Sequence, residues 1–300
     1  MSTTSSLIAR LRKKLQLDNR TKDGKLPQIK ATEKSIPTNS KTETESTTAL
    51  VGIGHVGTRY ATNVVLQFQA ELAVAHAAVA TELDDDWFEK NNILALRSRV
   101  TNHREFLLRP DLGRRLNSES LSVLQQKAKK NIDVQPILAD GLSAVATQGS
   151  GLVLLNSFIK ECEALGLSVG TPVGVKFARV WLEDEIGQTV NARVAAILLG
   201  ERPGLGTGDG LSAYLVHDPK IGNTDGNRNM MSNIHQRGTT PEHAAKRLAR
   251  LAQVMIQQGT SGVSLDLTKE KDLAEASGYQ YREPQKRNWL VEVHNDIKTN

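Results

Sequence analysis

The feature that most constrains the fold is an unbroken apolar run, Val194–Leu199, followed at once by Gly200-Glu201-Arg202-Pro203-Gly204-Leu205-Gly206. A continuous apolar run of this length is typical of a strand that is buried on both faces of a parallel sheet. The charges, the proline and the glycines that follow cannot continue that strand, so they predict a turn at its carboxyl end. Open α/β sheets bind their ligands at that edge. We therefore expect Glu201 and Arg202 on a Gly-rich loop at a ligand-binding edge.

From residue 118 onwards, helical and strand patterns alternate along the chain. Helices are predicted at Ser118–Lys129, Leu152–Leu165, Leu182–Val190 and between the Thr240-Pro241 cap and Gly259, and strands at Val134–Ala139, Val173–Phe177, Val194–Leu199 and Leu211–Val216. Such alternation predicts an α/β fold with a doubly wound, mostly parallel, Rossmann-like sheet. Pro136 lies inside the first of these strands and has no N–H to donate, which predicts an edge position or a bulge there.

The sequence divides into four segments. Residues 1–48 are rich in Ser, Thr and Lys without an apolar period, which predicts a disordered tail. The apolar residues within Leu7–Leu15 are typical either of a frayed, solvated helix or of a short docking peptide. Residues 49–117 predict a helical N-terminal region, residues 118–266 an α/β domain, and residues 267–300 a charged C-terminal extension.

Composition argues against several classes of function. The net charge of +5 comes from residues 1–48, where 10 Lys/Arg face 5 Asp/Glu, and the remaining 28 basic and 28 acidic residues balance. A neutral body with 4% aromatic residues does not favour a nucleic-acid groove. No apolar run reaches the roughly 18 residues of a membrane span, and Met1–Ser6 lacks the apolar core of a secretory signal. The single cysteine, Cys162, excludes an internal disulfide and is expected in the core, so we expect a cytoplasmic protein.

A second polar turn follows the first predicted strand of the alternating region, at Asp140-Gly141-Leu142-Ser143. Because the carboxyl ends of parallel strands meet at one edge, this turn and the Gly200–Gly206 turn are expected to line the same crevice. Asp140 is typical either of a ligand contact or of an N-cap for the helix that follows. Glu201 could act as an acid or base, contact a ligand, or form a salt bridge with an arginine.

Familiar catalytic and nucleotide-binding motifs are missing from this sequence. No Gly-Lys-Ser/Thr follows the glycines after Gly200, which excludes a P-loop there. Gly52-x-Gly54-x-x-Gly57 has the spacing of a dinucleotide fingerprint, but no βαβ unit is predicted around it. Neither His-Glu-x-x-His nor Gly-x-Ser-x-Gly occurs, and the seven histidines lack metal-ligand spacing. We therefore expect neither a metal site nor catalytic residues of the chain's own.

Five motifs nevertheless form a specific pattern. They are Leu96-Arg97-Ser98-Arg99, Arg109-Pro110-Asp111-Leu112-Gly113-Arg114-Arg115-Leu116, Asp140-Gly141-Leu142-Ser143, Gly200-Glu201-Arg202-Pro203-Gly204-Leu205 and Ser232-Asn233-Ile234. In their order and spacing, from about Thr48 to Val263, they resemble the small (light) subunits of ethanolamine ammonia-lyase.

The resemblance implies a hetero-oligomer with a large, TIM-barrel catalytic subunit that carries the substrate pocket. It implies adenosylcobalamin as cofactor, held between the two chains, and a radical conversion of ethanolamine to acetaldehyde and ammonia. The cofactor contacts of that family correspond to Val180, Glu201 and Met230, although Met230 stands where the family usually has Cys. No nucleic-acid or membrane partner is implied.

Three further options stay open beside this resemblance. The chain could be a scaffold paralogue without cofactor binding, because His55 and Met230 depart from the family pattern. It could also be a stand-alone α/β enzyme acting on a nucleotide-like ligand, which the missing fingerprints disfavour. A bacterial microcompartment is the alternative to a free cytoplasmic location.

Overall fold

The fold is built around a six-stranded sheet in a computed structural model that describes residues 55–205, 208–236 and 238–267. The predicted tail with its amphipathic helix, Gly206 at the end of the charged turn, and the predicted extension beyond residue 267 lie outside the described residues. Within those residues, no helix is both long enough and apolar enough to span a membrane.

The main sheet is mixed, and its parallel part is central. A hairpin of β1 (His55–Val56) and β2 (Arg59–Tyr60) precedes the main strands, which are β3 (Leu94–Arg97), β4 (Ile132–Ala139), β5 (Val173–Lys176), β6 (Ala192–Gly200), β7 (Leu211–His217) and β8 (Arg228–Ile234). They lie side by side in the order β3-β5-β4-β6-β7-β8. The pairings among β3, β5, β4 and β6 are parallel, whereas β7 and β8 are added antiparallel. The predicted mostly parallel sheet is confirmed.

The strand order creates a switch point between β4 and β6. From β4 the chain moves to one side to form β5 and then returns to the other side to form β6. Counted from β4, the order is 2-1-3-4-5, one of the two common orders of doubly wound sheets, in which ligands bind where the order reverses. It differs from the 3-2-1-4-5-6 order of Rossmann sheets, so the Rossmann-like part of the prediction is not confirmed.

Helices cover both faces of the sheet. The helices are α1 (Thr62–Val79), α2 (Trp87–Lys90), α3 (His103–Leu108), α4 (Ser118–Lys127), α5 (Ala144–Ala146), α6 (Leu152–Ala164), α7 (Leu182–Val190) and α8 (Pro241–Gln258), with a π turn over Thr147–Gly151 joining α5 to α6. One core contains Phe158 of α6 and Leu248 of α8 against one face of the sheet. The other contains Leu124 of α4 and Ile186 of α7 against the opposite face.

Helix boundaries follow the capping signals in the sequence. At the start of α8 the Thr240 hydroxyl accepts a hydrogen bond from the His243 N–H, and Pro241 occupies the first helical position. Gly259 ends α8 in the left-handed region at φ +67°, as its C-cap role predicts. Cys162 lies on α6 and is buried, so the predicted core position of this thiol is confirmed.

The predicted edge position of Pro136 is wrong, because β4 is an interior strand with β5 on one side and β6 on the other. Pro136 pairs with Ala196 in β6, but β4 pairs with β5 only over Ile137–Ala139. Beside the proline, the Gln135 amide donates to the Thr171 carbonyl oxygen over 2.8 Å. The missing N–H is tolerated, since this part of β4 is joined to the segment before β5 by the Val134 backbone and the Gln135 side chain and not by Pro136.

Two strand features are not apparent from the sequence pattern. The predicted helical region over residues 49–117 also supplies β3, which pairs in parallel with β5. Only Leu94–Leu96 are apolar there, which is too short a run to identify a strand. The antiparallel direction of β7 follows from its short connection to β6, which leaves no room for the helical crossover that a parallel neighbour needs.

Candidate functional site

The candidate site lies at the switch point, where the turns after β4 and β6 touch. The Leu142 N–H donates to the Gly200 carbonyl oxygen over 2.9 Å. Gly141 has φ +53°, and a Cβ added to it would lie 2.3 Å from the same Gly200 oxygen. Neither turn could approach this closely with a side chain at that point. The prediction that the Asp140–Ser143 and Gly200–Gly206 turns line one crevice is confirmed for their described residues.

The crevice is an open cleft of about 350 Å³. Its lining residues are Gly141, Leu142, Ala178, Arg179, Val180, Leu199, Gly200, Glu201, Arg202, Ser212 and Tyr214. Its lining combines apolar side chains such as Leu199 with the charged or hydroxyl groups of Glu201 and Tyr214. This combination of an apolar wall with a few convergent polar groups is typical of sites for organic ligands.

Glu201 is held by its backbone and by one side-chain contact. Its N–H donates to the Gly210 carbonyl oxygen over 3.0 Å, and the Ser212 hydroxyl donates to its Oε1. Among the described residues, Oε2 accepts no hydrogen bond and no cation lies within salt-bridge distance of the carboxylate. The alternative that Glu201 is a structural ion-pair member is therefore not observed. One carboxylate oxygen is available to accept hydrogen bonds from a ligand in the cleft.

Two further polar groups line the cleft that the sequence did not single out, Ser212 and Tyr214. Burial and the nearby negative charge of Glu201 raise the pKa of Tyr214, so this phenol stays a hydrogen-bond donor at neutral pH. The two-residue period of a strand is the sequence signal that could have identified Ser212 and Tyr214, because residues i and i+2 of β7 share one face. A serine and a tyrosine alternating with apolar neighbours mark the side of β7 that is open to the cleft.

Val180 lies in the segment between β5 and α7, where its carbonyl oxygen accepts from the Glu183 N–H over 3.1 Å. Its side chain is half-buried and contacts the core beneath α4 and α7. It also lines the cleft together with Glu201. Val180 therefore packs against the core and also lines the cleft.

Met230 does not line the cleft, although it lies beside it. It is located on β8 directly opposite Tyr214 in the antiparallel ladder, so the two side chains project from the same face of the sheet. Its side chain is 54% exposed. The structure therefore brings Val180 and Glu201 into one cleft and places Met230 one strand farther out, at the edge of the sheet.

Asp140 does not cap the following helix, because Ser143 takes that role by accepting the Ala146 N–H over 3.1 Å. The Asp140 carboxyl group instead accepts from the N–H groups of Phe177 at 2.8 Å and Ala178 at 3.2 Å. Phe177 has φ +60°, an unusual conformation for an aromatic residue, and these bonds hold it there. Burial raises the pKa of Asp140 to about 7. Asp140 is thus a positioning residue for the segment that carries Val180.

A buried ion cluster fixes β8 to α7 at the far side of the site. Arg228 donates to Glu183 over 2.8 Å and to Asp184 over 2.5 Å, and all three side chains are almost fully buried. Burial raises the pKa of Glu183 well above its ordinary value, although the charge of Arg228 acts in the opposite direction. Since Arg228 begins the strand that carries Met230, this cluster positions the outer edge of the site.

Arg179 is a further cleft residue that the sequence did not single out. Its guanidinium lies 4.2 Å from the centre of the Phe106 ring, and its Nη2 donates to the Phe106 carbonyl oxygen over 2.9 Å. The signal for this residue would have been its position two or three residues after a buried strand, as for Arg202. Among the described residues, no group of three or more His, Cys, Asp or Glu side chains is arranged to hold a metal ion.

The fold and the cleft define an α/β protein with a candidate ligand site at the switch point of its sheet. A model of the family described as ethanolamine ammonia-lyase light chain matches residues 39–266 of the sequence. The ethanolamine ammonia-lyase small subunit of Fusobacterium nucleatum subsp. nucleatum is 36% identical over 221 residues, which cover 74% of this chain and 75% of that protein.

The chain therefore belongs to the ethanolamine ammonia-lyase small-subunit family. The resemblance carried by the five sequence motifs is confirmed. Family membership makes the chain a subunit of a carbon–nitrogen lyase. The word "small" in the relative's name implies a larger partner for that relative.

Proposed function

We propose that this chain is the small subunit of an adenosylcobalamin-dependent ethanolamine ammonia-lyase and helps to bind the cofactor at the interface with a larger catalytic subunit. The observation that carries the proposal is that Val180 and Glu201 line one open cleft at the switch point of the sheet. The complex would convert ethanolamine to acetaldehyde and ammonia.

The groups in the cleft fit the edge of a corrin ring. Corrin carries amide side chains around an apolar macrocycle, and these amides need both hydrogen-bond acceptors and donors. Glu201 offers a carboxylate oxygen without a protein partner among the described residues, while Tyr214 offers a hydroxyl. Val180 and Leu199 supply apolar contact beside them. When bound, adenosylcobalamin supplies radical chemistry through homolysis of its cobalt–carbon bond.

The size and openness of the cleft favour a shared site. A volume of about 350 Å³ accommodates part of a corrin edge and not the whole cofactor. A second protein surface would have to cover the rest of the ring and exclude water from it. We therefore place this cleft against the larger subunit, with the corrin between the two chains.

The third family position, Met230, is best assigned to the outer edge of the same site. It shares the sheet face of Tyr214 and is exposed, so a cofactor that extends beyond the cleft would reach it. A contact through its backbone does not depend on a thiol. This explains how the position can serve with Met in place of the Cys that is usual in the family.

The roles of the cleft residues are binding and positioning, which leaves substrate chemistry to the partner. Asp140 is buried, accepts hydrogen bonds from two backbone N–H groups and does not line the cleft, so it holds Phe177 and Ala178 in place and does not face a substrate there. Glu201 has one free oxygen, but among the described residues no histidine or lysine lines the cleft with it to form an acid–base pair. A subunit that only helps to bind the cofactor needs few reactive side chains, because the cofactor supplies the radical chemistry.

Co-expression with a large-subunit candidate from the same genome tests the proposal. We expect a stable complex that releases acetaldehyde from ethanolamine only when adenosylcobalamin is added, while each chain alone is inactive. Full activity of this chain alone would contradict the proposal. A stable complex without corrinoid binding would instead favour the scaffold alternative.

A further inference from the structure

Arg179 is held rigidly at the wall of the cleft by the segment that contains α3. Its backbone N–H donates to the Gly113 carbonyl oxygen over 2.8 Å, and its Nη2 donates to the Phe106 carbonyl oxygen over 2.9 Å. The guanidinium also stacks on the Phe106 ring. A Cβ at Gly113 would lie 2.8 Å from the Arg179 Cγ, so the glycine makes room for this side chain. Two of these contacts hold the guanidinium itself, and the other two fix the backbone and stem of the side chain.

Arg179 forms no ion pair among the described residues, and Asp140 attracts its charge only from beyond salt-bridge distance. No carboxylate lies within salt-bridge distance of it, and its buried Nε has no hydrogen-bond partner. Burial lowers the pKa of Arg179, and repulsion from Arg202 and Arg114 lowers it further. A half-buried guanidinium whose Nε is buried and unpaired is costly without an anion, so the arrangement favours an anionic ligand.

Arg228 shows the contrasting case of an arginine with a structural role. It is at least as deeply buried as Arg179, but two carboxylates neutralise it at 2.8 and 2.5 Å. Arg202, by contrast, is exposed on the turn after β6, lines the same cleft as Arg179 and forms no ion pair among the described residues. Arg179 and Arg202 therefore present two unneutralised guanidinium groups to one opening.

We infer that Arg179 and Arg202 form a phosphate-binding subsite at the rim of the cleft. Guanidinium groups bind phosphate oxygens through paired, charge-assisted hydrogen bonds, whereas neutral amides need no fixed cation. Resting on the proposed function, this subsite receives the phosphodiester of the cobalamin nucleotide tail, because the corrin side chains are neutral amides. Free phosphate or a nucleotide offers the same chemistry, and the experiment below distinguishes these sources.

The test compares two corrinoids on the co-expressed complex. Cyanocobalamin carries the phosphodiester, and dicyanocobinamide lacks the whole nucleotide tail. We expect the wild-type complex to bind cyanocobalamin more tightly in titration calorimetry. Arg179→Gln should reduce cyanocobalamin affinity roughly 10- to 100-fold, the range for a lost charge-assisted hydrogen bond, and leave dicyanocobinamide affinity unchanged.

Two variants complete the design. Arg202→Gln alters an exposed side chain and so leaves folding intact, and it should lower cyanocobalamin affinity in the same selective way by a smaller factor. Arg193→Gln is the matched control, because Arg193 lies near the start of β6, at the opposite end of the strand, in an exposed pair with Asp133. It should change neither affinity.

Several results would overturn the inference. If Arg179→Gln lowered the affinity for both corrinoids equally, Arg179 would contact the corrin or support the fold and would not bind a phosphate. An unchanged preference for cyanocobalamin, together with lost binding of inorganic phosphate, would assign the subsite to a free phosphate. Equal wild-type affinities for the two corrinoids would contradict this inference alone, whereas a wild-type complex that binds neither would contradict the proposed function as well.

Discussion

Gly141 and Gly200 lie backbone against backbone at the ends of β4 and β6, and a Cβ on Gly141 would come within 2.3 Å of the Gly200 carbonyl oxygen. A Cβ on Gly200 would in turn lie 2.3 Å from the Ser143 carbonyl oxygen. Both glycines line the cleft, and their close approach fixes the start of the turn that carries Glu201. The glycines of the two motifs are therefore required by packing at the site.

We predict that Gly141→Ala destabilises the chain by at least about 2 kcal/mol, because it adds a backbone clash to a left-handed φ. Urea unfolding followed by circular dichroism measures the change. Gly149→Ala is the matched control, since nothing lies within 4 Å of a Cβ at that position and its φ is not in the left-handed region. The control should be neutral or stabilising by roughly 0.5 kcal/mol. Equal stabilities of the two variants would contradict the close approach.

The raised pKa of Asp140 predicts a specific pH dependence. Folding shifts this carboxyl from its ordinary pKa of 3.8 to about 7, so between these values the folded state holds a proton that the unfolded state has released. The contribution of Asp140 to stability is therefore largest at low pH and declines by up to roughly 1.4 kcal/mol per pH unit as the pH rises towards 7.

Asp140→Asn removes this titration, so the stability advantage of the wild type over the variant should shrink between pH 5 and pH 7. Urea unfolding of both proteins across that range measures the difference. A wild-type advantage that stays constant between pH 5 and pH 7 would show that the two N–H bonds from Phe177 and Ala178 outweigh burial and keep the carboxylate ionised, because a carboxyl group with a lowered pKa titrates only below this range.

The buried cluster around Arg228 predicts a large loss on truncation. Arg228→Met leaves Glu183 and Asp184 buried without their cation, which should cost about 3–5 kcal/mol of unfolding free energy. Lys220→Met is the comparison, because the ion pair of Lys220 with Asp218 is exposed and should contribute less than about 1 kcal/mol. Thermal unfolding of both variants measures the loss of stability. Similar losses in the two variants would contradict the role of the cluster in fixing β8.

Glu201→Ala should weaken corrinoid binding by the complex about tenfold or more, since it removes a charged hydrogen-bond acceptor from the cleft. It should change the unfolding free energy by less than about 1 kcal/mol, because the only side-chain hydrogen bond of Glu201 among the described residues is with Ser212. Ser212→Ala is the control, as it breaks the same bond but keeps the carboxylate. A comparable loss of affinity in both variants would mean that Glu201 acts through Ser212.

Sequence periodicity was sufficient to predict the inner strands and the position of the cleft. A run such as Val194–Leu199 has one stable environment, the interior of a parallel sheet, and the polar turn after it must then lie at the carboxyl edge. The helix α7 has the predicted bounds, and α8 begins and ends at its predicted caps. These elements are specified locally, by composition and capping.

The features that could not be predicted from the sequence depend on contacts between residues that are distant along the chain. The role of Asp140 depends on Phe177 and Ala178, which lie far from it along the chain. An interior strand tolerates Pro136 because β5 pairs with β4 only beyond the proline, over Ile137–Ala139, and the sequence does not show where that pairing begins. Arg179 is informative because it lacks a carboxylate partner, and only the three-dimensional arrangement shows this.

The most direct measurement is a cryo-electron microscopy structure of the co-expressed complex with bound cyanocobalamin. We predict density for the corrin between this chain and the larger subunit, with an amide of the ring edge within hydrogen-bond distance of Glu201 and apolar contact to Val180. Corrinoid density that lies wholly within the partner, away from the cleft between the β4 and β6 turns, would contradict the central claim.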